Sequence, residues 1–191
     1  MRFTFLGSLA MFLFTAISAN ATLTQSDGCY LIGSADDLYQ FKQIYDSYDE
    51  DSLAMRLDCV KLTQDIVVNE NVLKEDGSPN AGPFKEWESI RNFSGTFDGQ
   101  NHTISGLYQL ETRYAGDAGF ISSAKGTIKN LGIVDSYFAV DFKKEGSYVS
   151  AGSLAASASD TLTIENCFSA ATVEMYAESE GVGGLVGDVH K

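Results

Sequence analysis

"FSGTFDGQNHTISGLY", residues 93–108, decides the fold. It sets Gly95, Gly99 and Gly106 among alternating apolar and polar residues, with Phe97, Ile104 and Leu107 as the large apolar side chains. A plain strand avoids so much glycine. A flexible loop has no use for core-type side chains at short intervals. A backbone that turns sharply every few residues and buries a side chain between corners meets both conditions. Glycine supplies positive φ at a corner without steric cost, and alternate residues between corners face one way.

The pattern recurs. One apolar residue lies in or beside each later Gly-rich corner: Phe97 in "GTFDG", Phe120 in "AGFIS", Leu154 in "AGSLA" and Leu185 in "GGLVG", at intervals of 23, 34 and 31. A second series, Ile104, Ile128 and Ile164, has intervals of 24 and 36. The two lengthen together. They predict a solenoid with coils of roughly 23 residues and inserted loops at 141–147 and 157–160. Strand-rich composition with glycine corners selects a mainly β fold, a β-solenoid, over helical repeats. Asn130 in "TIKN" and Asn166 in "TIEN" fall at equivalent sites. They are ordinary turn residues or a stacked ladder, and the sequence leaves both open.

One segment is helical. Ser34 with Asp37 three residues on forms a capping box, and Leu38, Phe41, Ile44, Tyr45 and Tyr48 follow at helical spacing. The helix spans about 35–47 and is expected to cap the first coil, whose strand edge needs a cover. Short strands follow around Met55, Leu57, Cys59 and Leu62. Residues 74–83 hold both prolines and form a turn-rich excursion.

Arg2, an apolar run from Phe3 to Ile17 and Ala19-Asn20-Ala21 predict a secretory signal over 1–21, cut after Ala21. No later stretch is apolar enough to cross a bilayer. The net charge of −13 and the lack of a basic patch exclude nucleic acid and anionic lipid as partners. The acidic run "YDSYDED", 45–51, reads as a solvated helix end, since it lacks the alternating order of a calcium loop. Export permits disulfides. Cys29 and Cys59 bracket the first elements and are paired, and Cys167 is left over as a small buried residue or one whose partner lies beyond residue 191.

"FSGTFDGQNHTISGLY", "GTIKNLGIVDSYF", "IENCFSAATV" and "VGGLVGDV" resemble the GLUG-motif secreted and surface proteins of bacteria, akin to filamentous-haemagglutinin-style adhesins. Gly184-Leu185-Val186-Gly187 matches the naming motif, while 119–122 and 152–155 are copies without the closing glycine. Trp87 and Ile90 give the W-x-x-I pattern before the first coil. The resemblance covers about 29–189. It implies a right-handed parallel β-helix, an N-terminal cap over 22–90, GLUG-type coils over 91–191 that stop inside a repeat, and a role in adhesion or carbohydrate contact. It implies no catalytic residues and no cofactor. The expected partners are an extracellular polysaccharide or a cell-surface protein, with self-association through the last coil at Val182, Leu185 and Val186.

Catalytic chemistry finds little footing. His102 sits in a turn and His190 beside the last residue. Asp98 and Asp117 could meet across neighbouring coils as a glycosidase pair, and Arg91 or Arg113 could serve a lyase, but no spacing requires either. "GVGGLVG" lacks the G-x-G-x-x-G order, and no C-x-x-C or H-E-x-x-H metal pattern exists. The alternative to adhesion is a module of a secreted polysaccharide-degrading enzyme. The remaining functional hint is aromatic: Tyr108, Tyr114, Tyr137, Phe138, Phe142 and Tyr148 lie on or near coil loops, as ligand contacts or as stacked core.

Overall fold

The computed structural model describes residues 23–47, 59–112, 116–141, 149–176 and 181–190. The expected signal segment lies outside them. A short antiparallel pair, β1 (Gln25–Ser26) and β2 (Cys29–Ile32), leads into helix α1 (Ala35–Ser47). Then come β3 (Cys59–Leu62), β4 (Ile66–Val67), β5 (Thr96–Ser105), β6 (Tyr108–Glu111), β7 (Ile121–Val140), β8 (Ser150–Gly152), β9 (Ala155–Glu165), β10 (Phe168–Met175), β11 (Gly181–Gly183) and β12 (Val186–His190). Apart from β1–β2, the strands pair parallel, each segment on the matching segment of the next turn. Tyr30, Val60, Phe97, Ile128 and Ile164 occupy successive rungs of one row. This is a β-solenoid of about four turns.

The register corrects the expected ladders. Ile128 and Ile164 do stack, but Phe97 lies beneath Ile128, and Ile104 lies between Ile66 and Ile133 on the next side of the coil. Phe120 belongs with Leu154 and Leu185, because Ile121, Ala155 and Val186 share a row. The coil is therefore 31 residues from Phe97 to Ile128, not roughly 23. The sequence series mixed two sides of one coil: Phe97 and Phe120 meet edge to face across its interior at 5.1 Å. A shared apolar interior puts similar residues on every side, so apolar spacing alone does not say which side a residue occupies.

Corners form where asparagine, aspartate or glycine accepts positive φ. Asn101, Asn130 and Asn166 have φ of 66°, 52° and 49°; asparagine tolerates this region better than most residues. Gly99 serves a different need. A Cβ there would overlap the Asn130 carbonyl of the next turn.

Helix α1 forms as expected. Ser34 Oγ accepts the Asp37 N–H at 3.1 Å, and Asp37 Oδ2 accepts the Gly33 N–H at 3.0 Å. Leu38, Phe41 and Tyr45 are buried, with Phe41 against Tyr30 and Tyr45 against Phe93. The helix lies beside residues 86–94. Asp46 Oδ1 accepts the Arg91 N–H, the Tyr45 hydroxyl oxygen accepts the Ser94 N–H, and the Tyr39 hydroxyl donates to the Glu86 carbonyl. The same segment bonds the next turn through the Ile90 and Phe93 N–H groups. The 74–83 excursion runs along the stack: Asp135 of a later turn accepts the Val72 and Leu73 N–H groups, and Thr172 donates to the Gly77 carbonyl.

Cys29 and Cys59 form the expected disulfide, with Cα atoms 4.5 Å apart on stacked strands β2 and β3. Such a bond belongs to an oxidising, extracellular setting. No helix among the described residues is long and apolar enough to cross a membrane. Replacing both cysteines by serine should lower stability by roughly 3–4 kcal/mol on the loop-entropy estimate, read by urea denaturation. Ile128→Asp should cost on the order of 4 kcal/mol, since Ile128 is fully buried with no partner for a carboxylate. Ile164→Asp, on the half-exposed last rung, should cost less than half as much. Equal losses would contradict the rung order.

Candidate functional site

Three outer features have side chains placed for contact. The first is a polar corner. Asp98, only 7% exposed, accepts hydrogen bonds from the Gln100 N–H and from Asn130 Nδ2, with Lys129 Nζ 3.5 Å away. Asn166 Nδ2 donates to Asn130 Oδ1 at 3.0 Å and to Asn101 Oδ1 at 3.3 Å. Asn130 and Asn166 are thus a ladder between turns. Lys61, Asp98, Lys129 and Glu165 stand in register on the same side, so charge alternates along the stack. Burial raises the Asp98 pKa, but the hydrogen bonds from Asn130 and Gln100 and the Lys129 charge outweigh it and hold it below the usual range. His102 lies 3.4 Å from Asp65, which also accepts the Thr103 N–H.

The second feature is an aromatic row. Phe84, Tyr108 and Tyr137 stack along the axis at centroid distances of 5.0 and 5.7 Å. Val72 and Leu73 pack against this row. Tyr137 is buried and its hydroxyl donates to Glu174, which also accepts from Tyr176. Burial and Glu174 push the Tyr137 pKa up. Phe138 points into the core. Of the other expected contact residues, Tyr114, Phe142 and Tyr148 lie outside the described residues.

The third is a groove of about 510 Å³ beside α1, edged by Lys42, Glu88, Arg91, Glu111 and Asp117. A smaller hollow of about 240 Å³ shares Lys42 and Glu88 and extends to Tyr39. The floor is a fixed network. Ser89 Oγ shares its one proton between the Gly119 carbonyl at 2.8 Å and Gln109 Oε1 at 3.1 Å, the Gly119 N–H donates to Gln109 Oε1, and Gln109 Nε2 donates to the Asp117 carbonyl. Both cations are paired: Lys42 with Asp46 at 3.0 Å and Glu88 at 3.2 Å, Arg91 with Asp46 at 3.8 Å. Burial, with Glu88 nearby, pushes the Tyr39 pKa up to about 12.

Asp98 and Asp117 do not meet as a pair across neighbouring coils. They lie in one turn, with separate partners: Asp98 in the polar corner, Asp117 accepting the Ser150 N–H. Arg91 and Asp117, singled out for other chemistry, both edge the groove. Lys42, Glu88, Gln109 and Glu111 went unnoticed in the sequence. They come from a helix and two separate turns, and nothing local marks them. No group of three or more His, Cys, Asp or Glu residues suited to a metal exists among the described residues.

The features thus belong to a parallel β-solenoid with a disulfide at its first rungs. Among solved structures, the chain is similar to a candidate immunoglobulin A1 protease from Bacteroides ovatus. Identity is 16%, the TM-score is 0.49, 87% of this chain is covered, and the chain spans 63% of that protein's chain. No protein-family model matches the chain, and no curated protein does.

The depressed pKa of Asp98 carries a pH signature. A lowered folded-state pKa stabilises above the unfolded value, near pH 4, and that contribution is lost as pH falls through the folded value. The stability gap between wild type and Asp98→Asn should therefore be open at pH 6 and close toward pH 2. Melting curves across that range measure it. A gap independent of pH would mean that the Asp98 charge does not stabilise the corner.

Proposed function

We propose that this chain is an exported, non-enzymatic protein that works by surface contact, as an adhesive or carbohydrate-binding β-helix. The carrying observation is in-register repetition on the outer face: the asparagine ladder presents an amide at successive turns, and the Lys61–Asp98–Lys129–Glu165 row a charged group at every turn, alternating in sign. The turns are spaced about 4.8 Å apart, which suits an extended polymer or a cell surface better than a single small molecule. The reading includes a signal segment over 1–21, a right-handed coil of GLUG type and α1 as the N-terminal cap. The disulfide and the acidic net charge agree with a secreted or cell-surface location.

Self-association belongs to the same reading. Of the expected residues Val182 is more than half exposed while Leu185 and Val186 are half-buried; Phe168 and Val189 are also more than half exposed, and among the described residues β10 and β12 each pair on one side.

Expression with the native N-terminus in a bacterial host tests export and contact together. The released chain should begin at Thr22, contain one free thiol at Cys167, and be retained on bacterial cells or insoluble polysaccharide without releasing reducing ends. Sugar release at enzymatic rates would favour the polysaccharide-degrading alternative. Retention of the chain in the cytoplasm would remove the basis for both.

A further inference from the structure

We infer that the groove between α1 and the side chains of Gln109, Glu111 and Asp117 is a binding site for a neutral oligosaccharide; this rests on the contact reading above and gives it a site and a ligand class.

An anionic ligand is disfavoured. The two cations at the groove, Lys42 and Arg91, already face Asp46, and Lys42 also faces Glu88. The other charged groups at the rim, Glu111 and Asp117, are carboxylates. A uronate or phosphate would meet more negative charge than positive. A bare cation is disfavoured too, because the rim interleaves its carboxylates with those two cations.

A peptide added as an extra strand is also disfavoured. Strand addition needs free main-chain groups along an edge. Along 87–94, the segment that carries the groove residues Glu88, Ser89 and Arg91, the N–H groups of Trp87, Ile90, Arg91, Phe93 and Ser94 are bonded, three to the solenoid and two to α1.

A chain of uncharged hydroxyls suits what remains. Carboxylates accept from neighbouring hydroxyls, Lys42 and Arg91 donate to them, and mixed signs do not repel a neutral ring. The floor adds a preset donor. Gln109 is 4% exposed and borders the groove. Its amide nitrogen carries two N–H groups, one of which goes to the Asp117 carbonyl, and no second acceptor appears among the described residues. A buried donor without a partner is costly, and a sugar oxygen in the groove would satisfy it.

Affinity electrophoresis of the secreted chain in gels containing xyloglucan, galactomannan, mixed-linkage β-glucan or polygalacturonate tests this. At least one neutral polymer should retard the protein, and polygalacturonate should not. Arg91→Ala and Glu111→Gln, both at the rim, should each weaken that retardation about tenfold while the melting temperature holds within a few degrees. Lys125→Glu, exposed and outside both the groove and the polar corner, should leave it unchanged. Retardation by polygalacturonate alone overturns the charge argument. Retardation by a neutral polymer that survives both rim variants overturns the groove assignment and leaves the contact reading standing. Silence in every neutral gel overturns the inference, and cell binding measured in parallel then decides the broader reading: bound cells point to a protein ligand, unbound cells remove contact as the function.

Discussion

The paired strand residues of each turn of this solenoid lie directly against their counterparts one turn away, and that parallel register constrains all else. A position is acceptable only if it complements itself along the axis. Inside, this favours apolar rows such as Val60, Phe97, Ile128 and Ile164. At corners it favours asparagine, whose amide donates to and accepts from another amide, as Asn166 and Asn130 do. Where chains approach closest it permits glycine alone, as at Gly99 beneath the Asn130 carbonyl. Charged positions face the strictest test. Like charges about 5 Å apart repel by roughly 1 kcal/mol even in water. The Lys61, Asp98, Lys129, Glu165 row meets the test by alternating sign at each turn.

That constraint explains which parts of the fold were legible. Glycine corners, the turn asparagines and the shared rungs Ile128–Ile164 and Phe120–Leu154–Leu185 announce themselves, because register forces like residues to like places. The helix was legible for a different reason: its cap and apolar stripe are local. So was the Cys29–Cys59 pairing, since the two residues bracket the first elements. The coil length was not. Phe97 and Phe120 look alike because both fill one interior, and their 23-residue spacing measures part of a circuit.

The groove was illegible on stronger grounds. Repetition cannot encode it, because it lies where repetition fails. Between β2 and β3 the chain inserts α1, so the segment at 86–94 has a helix on one edge and a strand on the other. Lys42, Arg91 and Gln109 come together through that substitution alone. The segment at 72–84, which holds the excursion, breaks the repeat on another side: Val72, Leu73 and Phe84 pack against the Tyr108–Tyr137 row, Val72 and Leu73 bond to Asp135, and Gly77 bonds to Thr172 of a later turn.

The interruptions also give the solenoid individuality. A uniform stack has the same surface at every turn, so a partner gains nothing by preferring one turn to another, and registers differing by whole turns are nearly equal in energy. The helix, the disulfide and the excursion remove that degeneracy. Asp135 accepts the Val72 and Leu73 N–H groups just before the excursion and Thr172 reaches Gly77 within it, so a slip of one turn would break bonds that no neighbouring turn can replace. Cys29 and Cys59 tie the first two rungs together. Regular rows supply the length and rigidity, and the departures from them fix the register and bring donors and carboxylates from distant parts of the chain together on a concave surface.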